Sequence, residues 1–262
     1  MSYFPYGSYQ VYYESHGTGR PLTLLHGNTA SCRMFDPIIP LLAEKYHVIT
    51  MDFLGCGQSD HLPSWPSDLW YDWANQVRAL CEYLGLCEIY LVGTSGGALA
   101  AINAALEFPQ LVRAVAADSF AGTSADPAVT KDIQAGRAQA KHIEGFRAYL
   151  RSIHGEDWEQ VFDADTDAVV RHAREIKSYF HQPLSALEVP LLLMGSEEDE
   201  MFPPGHYQRL FHEICRETRW AKKHIFPHGG HPAMMSNKEE FSALLDRMIE
   251  SISTQGASFL RR

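Results

Sequence analysis

The stretch Ile89-Tyr90-Leu91-Val92-Gly93-Thr94-Ser95-Gly96-Gly97-Ala98 decides how this chain of 262 residues folds. Its first four residues are a short apolar run, and the segment Ala98 to Leu106 that follows is rich in alanine. The apolar run reads as a buried strand and the alanine-rich segment as a helix. Between them stands Gly-x-Ser-x-Gly. A serine at such a junction must turn the backbone sharply, in a sparsely populated φ/ψ region, and glycines at 93 and 97 leave room for the turn. The Ser95 hydroxyl is then exposed at the C-terminal end of the strand. The free N–H groups and positive dipole end of the new helix lie beside it.

Outward from this junction, strands and helices alternate. Tyr9 to Tyr13 reads as a strand, and Gly17-Thr18-Gly19-Arg20-Pro21 as a turn into a second strand, Leu22 to Leu25. Ser31 to Lys45 has helical spacing broken near Pro37 and Pro40, and Val48 to Met51 is strand-like. Asp68 to Leu84 reads as a helix with Trp70, Trp73, Val77, Leu80 and Leu84 on one side, and Val112 to Ala117 as a strand. The alternation resumes with strand Val189 to Met194, helix His206 to Cys215, strand His224 to Phe226 and helix Lys238 to Ser251. Short apolar runs separated by helices predict an α/β fold with a mostly parallel sheet covered on both faces.

Residues 121–187 break the rhythm. They are polar and helical in pattern, with Phe146, Tyr149, Leu150, Trp158, Phe162, Tyr179 and Phe180 set among many charges. The expected organisation is a core of residues 1–120 and 188–262, with residues 121–187 as a helical cap inserted over the C-terminal edge of the sheet.

Composition narrows the function classes. A formal net charge of −10 disfavours nucleic acid or an anionic membrane as a partner. Cys32, Cys56, Cys81, Cys87 and Cys215 are odd in number and form no Cys-x-x-Cys pair, which suits a reducing compartment. The first residues show no basic-then-apolar segment, and no apolar stretch approaches membrane-spanning length, so a cytoplasmic protein is expected.

A nucleophilic serine needs a base, a group that orients the base, and donors for the oxyanion. Among 13 histidines His231 stands out, in the glycine-rich segment Pro227-His228-Gly229-Gly230-His231-Pro232 after the final strand. A histidine on such a loop can reach the strand ends. His224 and His228 are its rivals; the three together do not share one helical face, so a metal site is not expected. The orienting acid is less defined, because Glu197, Glu198, Asp199 and Glu200 follow one another after the Val189–Met194 strand. Asp199 leads, since a short rigid side chain suits fixing an imidazole tautomer. Glu198 is its main rival, and Asp118, at the end of the earlier strand, is a third candidate. His26-Gly27-Asn28-Thr29 follows a strand and precedes a helix, so the N–H of Asn28 with that of Gly96 would form an oxyanion hole.

In order, His26-Gly27-Asn28, Asp52-Phe53-Leu54-Gly55-Cys56-Gly57-Gln58-Ser59, Gly93-Thr94-Ser95-Gly96-Gly97 and Gly229-Gly230-His231 resemble the motifs of the α/β-hydrolase fold family. The resemblance covers almost the whole chain. It implies Ser95 as nucleophile, His231 as base and an acid after the seventh strand, with no cofactor. The Asp52–Ser59 segment matches a structural loop of that family. One departure stands out: the family's acid commonly lies three residues after the glycine that ends its strand, which here is Glu198, not Asp199. The implied chemistry is hydrolysis of a small or medium, partly apolar carboxylic ester or lactone, with Trp65, Trp70, Trp73 and the aromatics of 121–187 as candidate pocket walls. A carbon–carbon bond hydrolase or peptidase on the same triad is the enzymatic alternative. A catalytically silent ligand-binding member of the fold is the alternative of another class.

Overall fold

A computed structural model describes residues 2–255. The N-terminal hairpin pairs β1 (Ser2–Tyr6) with β2 (Tyr9–His16), turning at Gly7 with φ of 59°. There follow β3 (Arg20–Leu25), α1 (Ile39–Ala43), β4 (Tyr46–Met51), α2 (Leu69–Leu84), β5 (Ile89–Thr94), α3 (Gly96–Glu107) and β6 (Val112–Asp118). Three inserted helices come next, α4 (Pro127–Ala140), α5 (Glu144–His154) and α6 (Trp158–Glu175). The chain closes with β7 (Leu191–Ser196), α7 (His206–Glu217), β8 (Ala221–Phe226), α8 (Ala233–Ser236) and α9 (Lys238–Gln255).

The eight strands form one sheet in the order β1-β2-β4-β3-β5-β6-β7-β8. Pairing is antiparallel at the β1–β2 and β2–β4 edges and parallel from β4 through β8. The period of two along each central strand feeds both cores. Ile89 and Leu91 of β5, with Leu191 and Leu193 of β7, pack against α2, α3 and α7; Tyr90, Val92, Leu192 and Met194 pack against α1 and α9. This is why those runs read as continuously apolar. Of the inserted helices, α5 and α6 bury a smaller cluster of their own, Leu150, Ile153, Trp158 and Phe162.

Three local readings change. The sheet begins one strand earlier than expected, because β1 buries only Phe4 fully and carries Pro5, so its pattern is too weak to read. The Ser31–Lys45 segment yields only a short 3₁₀ turn over Cys32–Phe35 and the five residues of α1, cut at its prolines. The seventh strand runs two residues further than Met194, to Ser196. The Asp52–Ser59 segment is a loop built around one carboxylate. Asp52 accepts from the Cys32 and Gln58 N–H groups at 2.6 and 2.8 Å, and a Cβ on Gly57 would collide with it. No helix among the described residues is long and apolar enough to cross a membrane.

Candidate active site

Parallel pairing brings the C-terminal ends of β3, β5, β6, β7 and β8 to one edge, and Asn28, Ser95-Gly96, Asp118, Glu198-Asp199 and His231 lie at or just beyond those ends. Ser95 lies between β5 and α3 with φ 54° and ψ −122°, a conformation that costs a non-glycine residue energy and persists only where its surroundings dictate it. The surroundings are crowded backbone. A Cβ on Gly93 would lie 2.1 Å from the Gly97 carbonyl oxygen, and one on Gly97 2.1 Å from that of Leu25. The Ser95 N–H donates to the Asp118 carbonyl at 2.8 Å, which ties the turn to the end of β6. Gly96 opens α3, so its N–H has no intrahelical acceptor.

The loop after β3 approaches the same serine from the other side. A Cβ on Gly27 would stand 2.9 Å from the Ser95 Cβ, and one on Gly96 2.1 Å from the Asn28 Oδ1. Ser95 is thus flanked by Gly27-Asn28 and by Gly96. His26 holds the base of this loop. Its Nδ1 is 2.8 Å from the Gly27 carbonyl and its Nε2 accepts the Phe53 N–H at 3.1 Å, so the ring is neutral with the proton on Nδ1. Burial pushes its pKa down, consistent with that neutral state.

Of the acids after β7, Asp199 is the one beside His231. Its Oδ2 lies 2.9 Å from the His231 Nδ1 and accepts the Tyr207 hydroxyl at 2.6 Å, while its Oδ1 accepts the Met201 N–H at 2.9 Å. The carboxylate side chain is 1% exposed and the imidazole 16%. Burial pushes the Asp199 carboxyl up, but the hydrogen bond and charge of His231, with the Tyr207 and Met201 donors, outweigh it and hold it below the ordinary aspartate value. Asp199 is therefore ionised and orients the imidazole with its proton on Nδ1, leaving Nε2 as the basic nitrogen. Because β7 continues to Ser196, Asp199 falls three residues past the strand end, and the loop needs no extra slack.

The neighbouring Glu198 and Glu200 are exposed, yet each is bonded to the histidine loop. Glu198 accepts from the Gly229 N–H at 3.1 Å and Glu200 from the His231 N–H at 3.1 Å, so both brace the histidine loop. His228 pairs with Glu198, and His224 with Glu240. Among the described residues no group of three histidine, cysteine or acidic side chains is placed to hold a metal ion.

Asp118 is wholly buried beneath this loop and bonded to other partners. Its Oδ2 accepts from the Thr94 hydroxyl at 3.0 Å and the Met234 N–H at 3.2 Å, and its Oδ1 has no hydrogen-bond partner among the described residues. Burial pushes its pKa up to about 7, against the opposing pull of Met234, His231, Thr94 and Ser119. Folding therefore favours the protonated acid, so this group's contribution is lost as pH rises from the unfolded value, about 4, through 7. Asp118→Asn, which keeps an acceptor for Thr94 and Met234, is expected to flatten the fall in Tm between pH 5 and pH 8 by about 2 °C or more. Parallel Tm–pH curves for the two proteins would show that Asp118 does not titrate in this range.

A profile of the alpha/beta hydrolase family matches residues 24–244, from the end of β3 into α9. The chain belongs to the α/β-hydrolase family. A proline iminopeptidase of Clostridium botulinum is 40% identical over 113 residues, 40% of this chain and 38% of that protein. The match thus spans well under half the length of that curated relative. A longer match reaches the 2-hydroxy-6-oxo-6-(2'-aminophenyl)hexa-2,4-dienoic acid hydrolase of Metapseudomonas resinovorans, 24% identical, covering 90% of this chain and 86% of that one. Among solved structures, a thermophilic esterase from Thermogutta terrifontis superposes with a TM-score of 0.72 at 20% identity, covering 94% and 95% of the two chains. These relatives are hydrolases acting on different bonds, and the structural likeness establishes the shared fold.

Within this α/β-hydrolase, two groups of residues escape a reading of motifs alone. Tyr207 and Glu200 support Asp199 and His231 from α7 and the β7 loop. Asp165 and His154 reach the Asn28-Thr29 segment from the inserted helices, at 2.9 Å to the Asn28 Nδ2 and 3.1 Å to the Thr29 carbonyl. The signal for Asp165 is present in the sequence, because it is the acid on the α6 stripe of Trp158, Val161, Phe162, Ala168 and Val169. The tryptophans divide differently. Trp73 stacks on Phe53 in the core at 4.2 Å and Trp65 is buried, whereas Trp70 donates to the Asn28 Oδ1 at 3.2 Å.

Proposed function

We propose that this protein is a serine hydrolase cleaving a small or medium, partly apolar carboxylic ester or lactone through an acyl-enzyme on Ser95. The observation that carries the reading is the ionised, buried Asp199 held 2.9 Å from His231 on the edge where Ser95 is turned out in its strained conformation. Ser95 attacks the carbonyl carbon as His231 takes its proton on Nε2. The N–H groups of Asn28 and Gly96 receive the developing oxyanion, and each such donor is worth about 3 kcal/mol to the transition state in comparable enzymes. His231 then protonates the leaving alkoxide. Water, deprotonated by the same imidazole, attacks the acyl-enzyme and restores Ser95. Residues 121–187 act as the cap that shapes the acyl pocket.

A second reading, hydrolysis of a carbon–carbon bond in a dienoic acid, is favoured by the relative that matches 90% of this chain. Turnover of p-nitrophenyl acetate and butyrate, of prolyl p-nitroanilide and of a 2-hydroxy-6-oxo-dienoate separates the possibilities. The expected result is a kcat/KM for the esters at least about 100-fold above that for the anilide and the dienoate. Preference for the dienoate would replace the ester reading with the second one.

A further inference from the structure

Thr29 follows the proposed oxyanion donor Asn28 and has φ of 59°, an outlier for a β-branched residue. Such a conformation needs enforcement, and both backbone groups of Thr29 receive it from the inserted helices. Its N–H donates to the Asp165 Oδ2 at 3.1 Å, and its carbonyl accepts from the His154 Nε2 at 3.1 Å. His154 accepts the Gly57 N–H on its Nδ1 at 3.0 Å, so the neutral ring with its proton on Nε2 satisfies both bonds. Burial pushes the pKa of His154 down and supports that state.

Asn28 is held by the same acid. Its Nδ2 donates to the Asp165 Oδ2 at 2.9 Å while its Oδ1 accepts from Trp70, and this side chain lies against Gly96. Asp165 is itself fully buried on α6, and its Oδ1 is paired with the Arg137 guanidinium of α4 at 2.6 Å. A buried carboxylate with three donors from two segments, the Asn28-Thr29 loop and α4, has little freedom to move. α4, through Arg137, α5, through His154, and α6, through Asp165, thus converge on two residues of one loop.

We propose that Asp165 is a positioning residue for catalysis, clamping Asn28 and Thr29 so that the Asn28 N–H is aimed at the oxyanion only while the inserted helices are seated. This rests on the serine hydrolase reading above and adds a link from the inserted helices to the transition state. Asp165 touches no reacting atom. It acts through the loop, and the loop matters most when charge develops on the carbonyl oxygen, so kcat falls while KM holds.

The test is Asp165→Asn assayed with p-nitrophenyl butyrate and with butylboronic acid, whose tetrahedral adduct on serine places an oxygen where the oxyanion forms. The amide keeps the shape of the side chain but directs an N–H₂ at one of its present donors. The expected result is a kcat lower by roughly 100-fold, the scale of a 1 Å misplacement, with KM within about threefold and boronate affinity weakened in parallel with kcat. Should Asp165→Asn not fold, Asn28→Ala removes the same clamp from the loop side and is expected to shift kcat and boronate affinity in the same way. A kcat within about threefold of wild type, or a lower kcat with unchanged boronate affinity, overturns the proposal. Wild type serves as the control for the underlying reading. If it turns over the ester and is labelled at Ser95 by a fluorophosphonate while the variant keeps its kcat, the clamp alone is wrong; an unlabelled, inactive wild type overturns both.

Discussion

Ser95→Ala is expected to lower kcat for p-nitrophenyl butyrate by at least about 10⁴-fold while moving Tm by no more than about 2 °C. The size follows from what is lost. Without the hydroxyl no acyl-enzyme forms, and the remaining N–H donors and the pocket can only assist direct attack by water. The stability expectation follows from the backbone. Alanine at 95 has the same φ/ψ preferences apart from its hydroxyl, and the strain at φ 54° is imposed by Gly93, Gly97 and the bond to Asp118, none of which changes. Steady-state kinetics and a thermal melt on the same preparation separate the two. A large Tm loss would mean that the hydroxyl supports the fold.

The second large effect is expected at Asp199. Its Oδ1 accepts the Met201 N–H, so in Asp199→Asn the amide oxygen takes that position and the N–H₂ takes the place of Oδ2. It then faces the His231 Nδ1, now 2.9 Å from Oδ2, and can only donate to it. The imidazole is driven to the tautomer with its proton on Nε2, where it cannot accept the Ser95 proton. A kcat lower by about 10⁴-fold is expected from the wrong tautomer alone. Glu198→Gln, by contrast, keeps an acceptor for the Gly229 N–H and loses only an exposed pairing with His228, so a change of no more than about threefold is expected. Measuring both variants side by side distinguishes the adjacent acids, and the reverse order of effects would move the orienting role to Glu198.

The fold was legible because its decisive signals are local. β5 and β7 lie between two helical layers, so their apolar runs are unbroken, and the Gly93–Gly97 turn admits only small residues at fixed positions. β1 was not legible, since an edge strand with one fully buried residue has no period to show. Ser95, His231 and the Asn28 loop could be read from the turns that carry them. Among the four consecutive acids the short side chain of Asp199 ranks it first, but its spacing from the strand could not be read. That spacing depends on where β7 ends, and pairing of Ser196 with Phe226 of β8 extends the strand past the glycine that marks the boundary in sequence. The roles of Glu198 and Glu200 as braces depend on a loop 31 residues away and leave no local pattern. Asp165 is intermediate. Its place on an apolar helical stripe marks it as an acid with a buried partner, but only the folded chain shows that the partners are Asn28, Thr29 and Arg137.

Ser95 as a nucleophile is tested most directly by the mass of the protein after treatment with a fluorophosphonate, followed by peptide mapping. The expected result is one phosphonyl group per chain, located on the peptide that contains Gly93-Thr94-Ser95-Gly96-Gly97, and no adduct on Ser95→Ala. A folded wild type that takes up no phosphonyl group, or takes it up equally in Ser95→Ala, would contradict the account.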